Sequence, residues 1–95
     1  MTETIRLRVL TEAGVALDEE AVSVVAHGEL GYLGILRNHA PLVTTLSSGK
    51  LTYRAPSAQT KVLRLGAGLL EVEHNRLTIL TESVSQPETS PSSAT

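Results

Sequence analysis

The sequence predicts an all-β fold, a small antiparallel β-sandwich or flattened barrel of about ten short strands with a disordered C-terminal tail. Short aliphatic and β-branched runs recur along the chain, divided by Gly, Asn, Pro and Ser clusters. No segment carries an apolar stripe at helical spacing. The core must be built from Leu, Val, Ile and Ala, because Phe, Trp and Cys are absent and Tyr32 and Tyr53 are the only aromatic residues. Such a composition suits half-buried pleated surfaces.

The elements follow in chain order. Ile5, Leu7 and Val9 alternate with Arg6 and Arg8, the period of a strand with one wet face, and Thr11 to Gly14 supply turn chemistry. Ala21 to Ala26 is a nearly continuous apolar run, read as a strand buried on both sides. Gly28, Gly31 and Gly34 then interrupt the pattern as far as Pro41, predicting a structured loop or short bulged strands. Leu42 to Leu46, a turn at Ser47 to Gly49, and Lys50 to Arg54 read as a strand and its return. Strands are predicted over Thr60 to Leu65, Leu69 to Glu73 and Arg76 to Thr81, the last pair closed by a His74-Asn75 hairpin turn. From Val84 to Thr95 the chain is mostly Ser, Thr, Pro and Glu, with Pro87 and Pro91 forbidding a continuous helix. The expected organisation is one domain over 1–83 and a disordered tail over 84–95.

Composition excludes several classes of function. A net charge of −2 and the lack of aromatic platforms argue against nucleic acid as a partner. Without cysteine there is no disulfide, thiolate nucleophile or Cys-containing zinc site. The first ten residues hold no apolar stretch long enough for a signal peptide or membrane span, so membrane association is expected only through a partner.

Catalytic chemistry finds no support either. His27, His39 and His74 fall on separate turns or loops without metal-ligand spacing. Asp18 is the only Asp, and no Ser lies in a Gly-x-Ser-x-Gly elbow. Gly66-Ala67-Gly68 follows a strand, but the residues after it alternate as another strand rather than opening a helix that could face a phosphate. The acidic run Asp18-Glu19-Glu20 reads as solvated. Neither cofactor nor metal is expected. A folded core without a catalytic constellation works through its surface, and the loop from Gly28 to Pro41 is the most unusual part of that surface.

The run Gly31-Tyr32-Leu33-Gly34-Ile35-Leu36-Arg37-Asn38-His39-Ala40-Pro41-Leu42 resembles the epsilon subunit of F-type ATP synthases, where a Gly-Glu-Leu-Gly-Ile-Leu-Pro segment runs into Asn-His-Ala-Pro-Leu. Val9-Leu10-Thr11, Gly14-Val15, Val24-Val25, Gly49, Gly66-Ala67-Gly68-Leu69-Leu70-Glu71-Val72 and Leu77-Thr78-Ile79-Leu80 match the family's order and spacing. The resemblance implies a non-catalytic rotor-stalk subunit that fastens gamma to the ring of c subunits, peripheral on the cytoplasmic face of a bacterial inner membrane or on a plastid thylakoid. It places Thr11, His39 and Thr44 on the gamma side, and Leu30, Tyr32 and Leu33 on the c-ring side. Tyr32 stands where the family usually has Glu, and Arg37 where it usually has Pro. The family's C-terminal helical hairpin, which can inhibit ATP hydrolysis, is expected to be absent. The competing readings are a free-standing sandwich that binds protein by strand addition and an enzyme centred on His39.

Overall fold

The computed structural model describes residues 3–85 and 88–90. The strands are β1 (Ile5–Thr11), β2 (Gly14–Ala21), β3 (Ser23–Gly28), β4 (Gly31–Leu36), β5 (Leu42–Leu46), β6 (Gly49–Arg54), β7 (Thr60–Leu65), β8 (Gly68–Glu73), β9 (Arg76–Thr81) and β10 (Glu88–Ser90). They form one curled sheet in the order β10-β7-β6-β3-β5-β8-β9-β1-β2, with β4 paired to β3. The curl folds the sheet into two facing halves joined where Gly28 of β3 meets Leu46 of β5.

Alternation sends one side chain in two toward the space between the halves. Ile5, Leu7, Val9, Leu70, Val72, Leu77 and Ile79 meet Val24, Ala26, Ile35, Leu51, Tyr53, Leu63 and Leu65 in a single buried cluster. Aliphatic side chains fill it almost alone, as the composition requires.

All neighbouring strands pair antiparallel except β1 and β9, which run parallel from Arg6↔Arg76 to Leu10↔Leu80. The predicted hairpin is present, with Glu73 opposite Arg76. His74 and Asn75 both have positive φ, 53° and 61°, which is a type I′ turn whose twist matches the flanking strands.

Several expected elements differ. Residues 14–21 form β2, which the sequence conceals because a bulge between Val9 and Leu10 shifts the register and an acidic residue, Glu19, takes an inward position. The run Ala21 to Ala26 is divided at Val22, whose N–H turns to the Arg54 carbonyl. β3 is buried on one side only, for Val24 and Ala26 point inward while Val25 is exposed. The glycine-spaced segment contains a regular strand, β4, in register with β3 from Ser23↔Leu36 to Gly28↔Gly31. β6 is not a return along β5. The chain crosses at Ser47, whose N–H bonds the His27 carbonyl at 3.1 Å, and β6 joins the opposite half between β3 and β7.

Within the segment 84–95 expected to lack structure, Val84 bridges Leu65 and the Ser85 N–H bonds the Arg64 carbonyl at 2.9 Å. Glu88–Ser90 pairs antiparallel with β7. The rest of that segment, 86, 87 and 91–95, lies outside the described residues.

Glu19 is not simply solvated. Its carboxylate accepts from the Tyr53 hydroxyl at 3.0 Å and pairs with Lys61 Nζ at 3.3 Å, tying β2 to β6 and β7 across the sandwich. Burial, then the hydrogen bond to Glu19 and that residue's charge, hold the Tyr53 phenol well above its ordinary pKa of 10.0. A raised pKa stabilises the fold fully below the unfolded value and less as pH climbs past it, because the unfolded chain releases the proton first. Stability is therefore expected to fall above pH 10, by up to about 1.4 kcal/mol per pH unit from this group. Tyr53→Phe is expected to cost about 1 kcal/mol at pH 7 through the lost bond and to flatten that alkaline decline. Urea unfolding at pH 7, 10 and 11 checks both; equal alkaline slopes for the two proteins would remove Tyr53 as the cause.

Candidate interaction surfaces

The tip of the β3–β4 hairpin is the most exposed apolar feature. Gly28 and Gly31 face each other across a two-residue loop of Glu29 and Leu30, and Gly31 adopts φ of 128°, which glycine tolerates without strain. The Leu30 side chain stands free at 104% relative exposure, and Tyr32 is 72% exposed. Leu33, on the inward alternate with Ile35, is half-buried against the bare backbone of Gly28. Of the residues expected on the c-ring side, Leu30 and Tyr32 therefore project and Leu33 anchors the hairpin.

The residues expected on the gamma side lie on different elements. Thr11 closes β1, and its Oγ1 accepts the Ala13 N–H at 3.1 Å in the turn to β2. Thr44 sits half-buried on the inward row of β5, between outward Val43 and Thr45. His39 is half-buried in the loop before β5, where its N–H bonds the Leu36 carbonyl at 3.1 Å. That loop is held by its neighbours. Asn38, with φ of 68°, donates its N–H to Asn75 Oδ1 at 2.6 Å, and Arg37 Nη1 reaches the Thr4 carbonyl at 3.1 Å. The Asn-His-Ala-Pro-Leu element thus docks onto the β8–β9 turn, with Asn at the position that requires a left-handed backbone.

Sequence reasoning missed the face between these residues. On the outward side of β5-β8-β9-β1-β2, the pairs Thr45↔Leu69, Leu69↔Leu80, Leu80↔Leu10 and Leu10↔Val15 line up as one lateral row. Val15, Val43, Leu69 and Leu80 are between 46% and 68% exposed. Thr11 directly follows Leu10 of this row, whereas Val43 lies outside it, opposite Glu71, and Thr44 points to the inward side of β5. The signal was available in β1, whose outward positions are Arg6, Arg8 and then Leu10.

The same face becomes charged toward the β8–β9 turn. Arg6 donates to Asp18 at 2.7 Å and to Glu20 at 3.2 Å. The Arg6 hydrogen bond lowers the Asp18 pKa, while for Glu20 a bond from the Thr4 hydroxyl acts first and Arg6 second. Two open grooves of about 500 and 530 Å³ lie here, lined by residues such as Arg6, Glu71, Glu73 and Arg76, and His39 lines neither. His27, His39 and His74 remain on separate elements, and among the described residues no group of His, Asp and Glu could hold a metal ion.

Residues 4–87 match the family described as ATP synthase, Delta/Epsilon chain, beta-sandwich domain. The chain is 36% identical over 88 residues to the ATP synthase epsilon chain of Desulfosudis oleivorans, covering 93% of this chain and 66% of that one. It is 38% identical over 88 residues to the epsilon chain of Koribacter versatilis, covering 93% and 61%. It therefore spans about two thirds or less of the length of these relatives. A chain of the Euglena gracilis mitochondrial ATP synthase, in a structure of OSCP, F1 and c-ring, superposes with a TM-score of 0.82 at 19% identity, covering 92% of this chain and 54% of that one. A chain from the Tetrahymena thermophila central stalk and c-ring structure gives 0.71 at 16% identity, covering 85% and 65%. At such identities these superpositions support the fold alone. With the family match spanning nearly all the described residues, the chain belongs to the ATP synthase delta/epsilon-chain β-sandwich family.

Proposed function

We propose that this chain acts as a non-catalytic epsilon-type subunit of a rotary ATP synthase, fastening the gamma shaft to the c ring so that ring rotation and ATP synthesis stay coupled. The observation that carries the reading is that two exposed apolar surfaces, the β3–β4 tip and the lateral row, lie at one end of the sheet. Gly28, Leu46, Gly68 and Thr81 are lateral neighbours, so the β3–β4 tip emerges beside the row of Leu69, Leu80, Leu10 and Val15. A shaft seated on the row and a ring touching the tip would then meet where this domain can hold both. Relatives named ATP synthase epsilon chain support this assignment. Membrane association, on the cytoplasmic face, would come through the complex.

The chain has no cysteine of its own, which makes single-cysteine crosslinking clean. In the assembled complex, Thr11→Cys, His39→Cys and Thr44→Cys are expected to crosslink to cysteines placed in gamma. Leu30→Cys and Tyr32→Cys are expected to crosslink to the c subunit, with Leu33→Cys reacting more slowly because it is half-buried. Free labelling of all these positions without any crosslink would reject the assignment.

A further inference from the structure

The Tyr32 side chain does not stand alone on the tip. It is the cross-strand partner of His27, and the two rings stack with centroids 4.9 Å apart and planes 20° from parallel. An exposed phenol beside a hairpin turn would otherwise move among staggered rotamers. His27 is itself fixed. Its carbonyl accepts the Ser47 N–H where the chain crosses between the halves. Its ring also fills space that only glycine leaves free at position 49, where a Cβ would come within 2.7 Å of His27 Nδ1. Gly49 adds to this a φ of 158°, so the β5–β6 corner, the imidazole and the phenol are packed in series.

We infer that His27 is a positioning residue for the tip: it holds Tyr32 in the one pose in which the phenol and Leu30 contact a partner together. The inference rests on the tip-to-ring reading above and adds to it a residue and a physical role. One face of the phenol is covered by the imidazole. A partner therefore meets the other face, the hydroxyl and the free Leu30 side chain, which fits a loop that brings a planar or apolar group and one hydrogen-bonding group. Fixing the ring before contact removes part of the ordering cost of association. Stacking, rather than imidazole charge, is the operative feature, so another flat ring at position 27 should serve.

The test measures binding of the purified complex of gamma and this chain to the isolated c ring of the same synthase. His27→Ala is expected to weaken binding about three- to tenfold, within the range set by ordering one side chain. His27→Phe is expected to stay within about twofold of the unaltered chain, and His27→Ala should have no further effect once Tyr32 is Ala. Proton NMR supplies a readout that general loosening of the fold would not mimic. Tyr32 ring protons should shift on His27→Ala and not those of Tyr53, which lies in the core. If Leu30→Ala and Tyr32→Ala weaken binding while His27→Ala does not, the tip contact stands and the role of His27 is overturned. If neither Leu30→Ala nor Tyr32→Ala has an effect, the tip-to-ring reading falls and takes this inference with it.

Discussion

Gly68→Ala is expected to destabilise the domain by about 3 kcal/mol, whereas Gly66→Ala should cost less than about 1 kcal/mol. A Cβ on Gly68 would lie 1.9 Å from the Leu80 carbonyl oxygen and 2.9 Å from the Thr81 Cα. Both obstacles are backbone atoms of β9, held in the β8–β9 ladder, so relief requires the two strands to separate. At Gly66 the nearest atoms are Glu82 Cγ and Ser83 Oγ, at 2.7 Å, and these flexible side chains can turn away. Separation at Gly68 would also disturb the buried Thr81 hydroxyl, which donates to the Gly66 carbonyl at 2.8 Å. For a domain of this size the larger loss corresponds to a fall in Tm of roughly 12–24 °C. Thermal and urea unfolding of the two variants check the contrast, and equal stability would mean that β9 yields at little cost.

This glycine pair shows how far the sequence could be read. Two glycines between alternating runs signal a bend or bulge rather than a phosphate loop, and Gly66-Ala67-Gly68 is such a corner, with the Gly66 N–H bonded to the Ser83 carbonyl at 2.9 Å. Local alternation also located β1 and the β7–β9 region, because their inward positions are aliphatic and their turns carry the right residues. β2 stayed hidden because its pattern depends on distant partners. Glu19 points inward only because Tyr53 and Lys61 meet it from the opposite half. The sequence also cannot indicate that β6 leaves β5, since that choice is made by pairing with β3 and β7. At the tip, the glycines predict a loop or bulged strands rather than the β3–β4 hairpin, and the family resemblance rather than local pattern singles out Leu30 and Tyr32. The lateral row was not legible, because Leu69, Leu80, Leu10 and Val15 become neighbours only through three strand registers, one of them the parallel pairing of β1 with β9.

Leu69→Asp with Leu80→Asp is expected to abolish measurable binding to gamma while leaving the domain folded. Both side chains are outward and about half exposed, so replacing them removes little from the core. The unfolding free energy should fall by about 1–3 kcal/mol, because the two carboxylates face each other as a cross-strand pair and about half of each leucine is buried, a loss the domain is expected to tolerate. Binding is another matter. In the proposed complex the two leucines lie in the middle of the row, where a partner would cover them, and a well-buried anchor contributes roughly 1.5–3 kcal/mol. Loss of both anchors, before any cost of burying two carboxylates, predicts a decrease in affinity of at least about 100-fold. Arg76→Ala, on the charged end of the same face, should act mainly on the salt dependence and association rate. Calorimetric titration of purified gamma with each variant separates the cases. If the double Asp variant binds gamma as tightly as the unaltered chain, the row is not the shaft-facing surface. If it binds weakly because it has unfolded, urea unfolding will show it, and the milder Leu80→Ser then decides whether the face or the fold was lost.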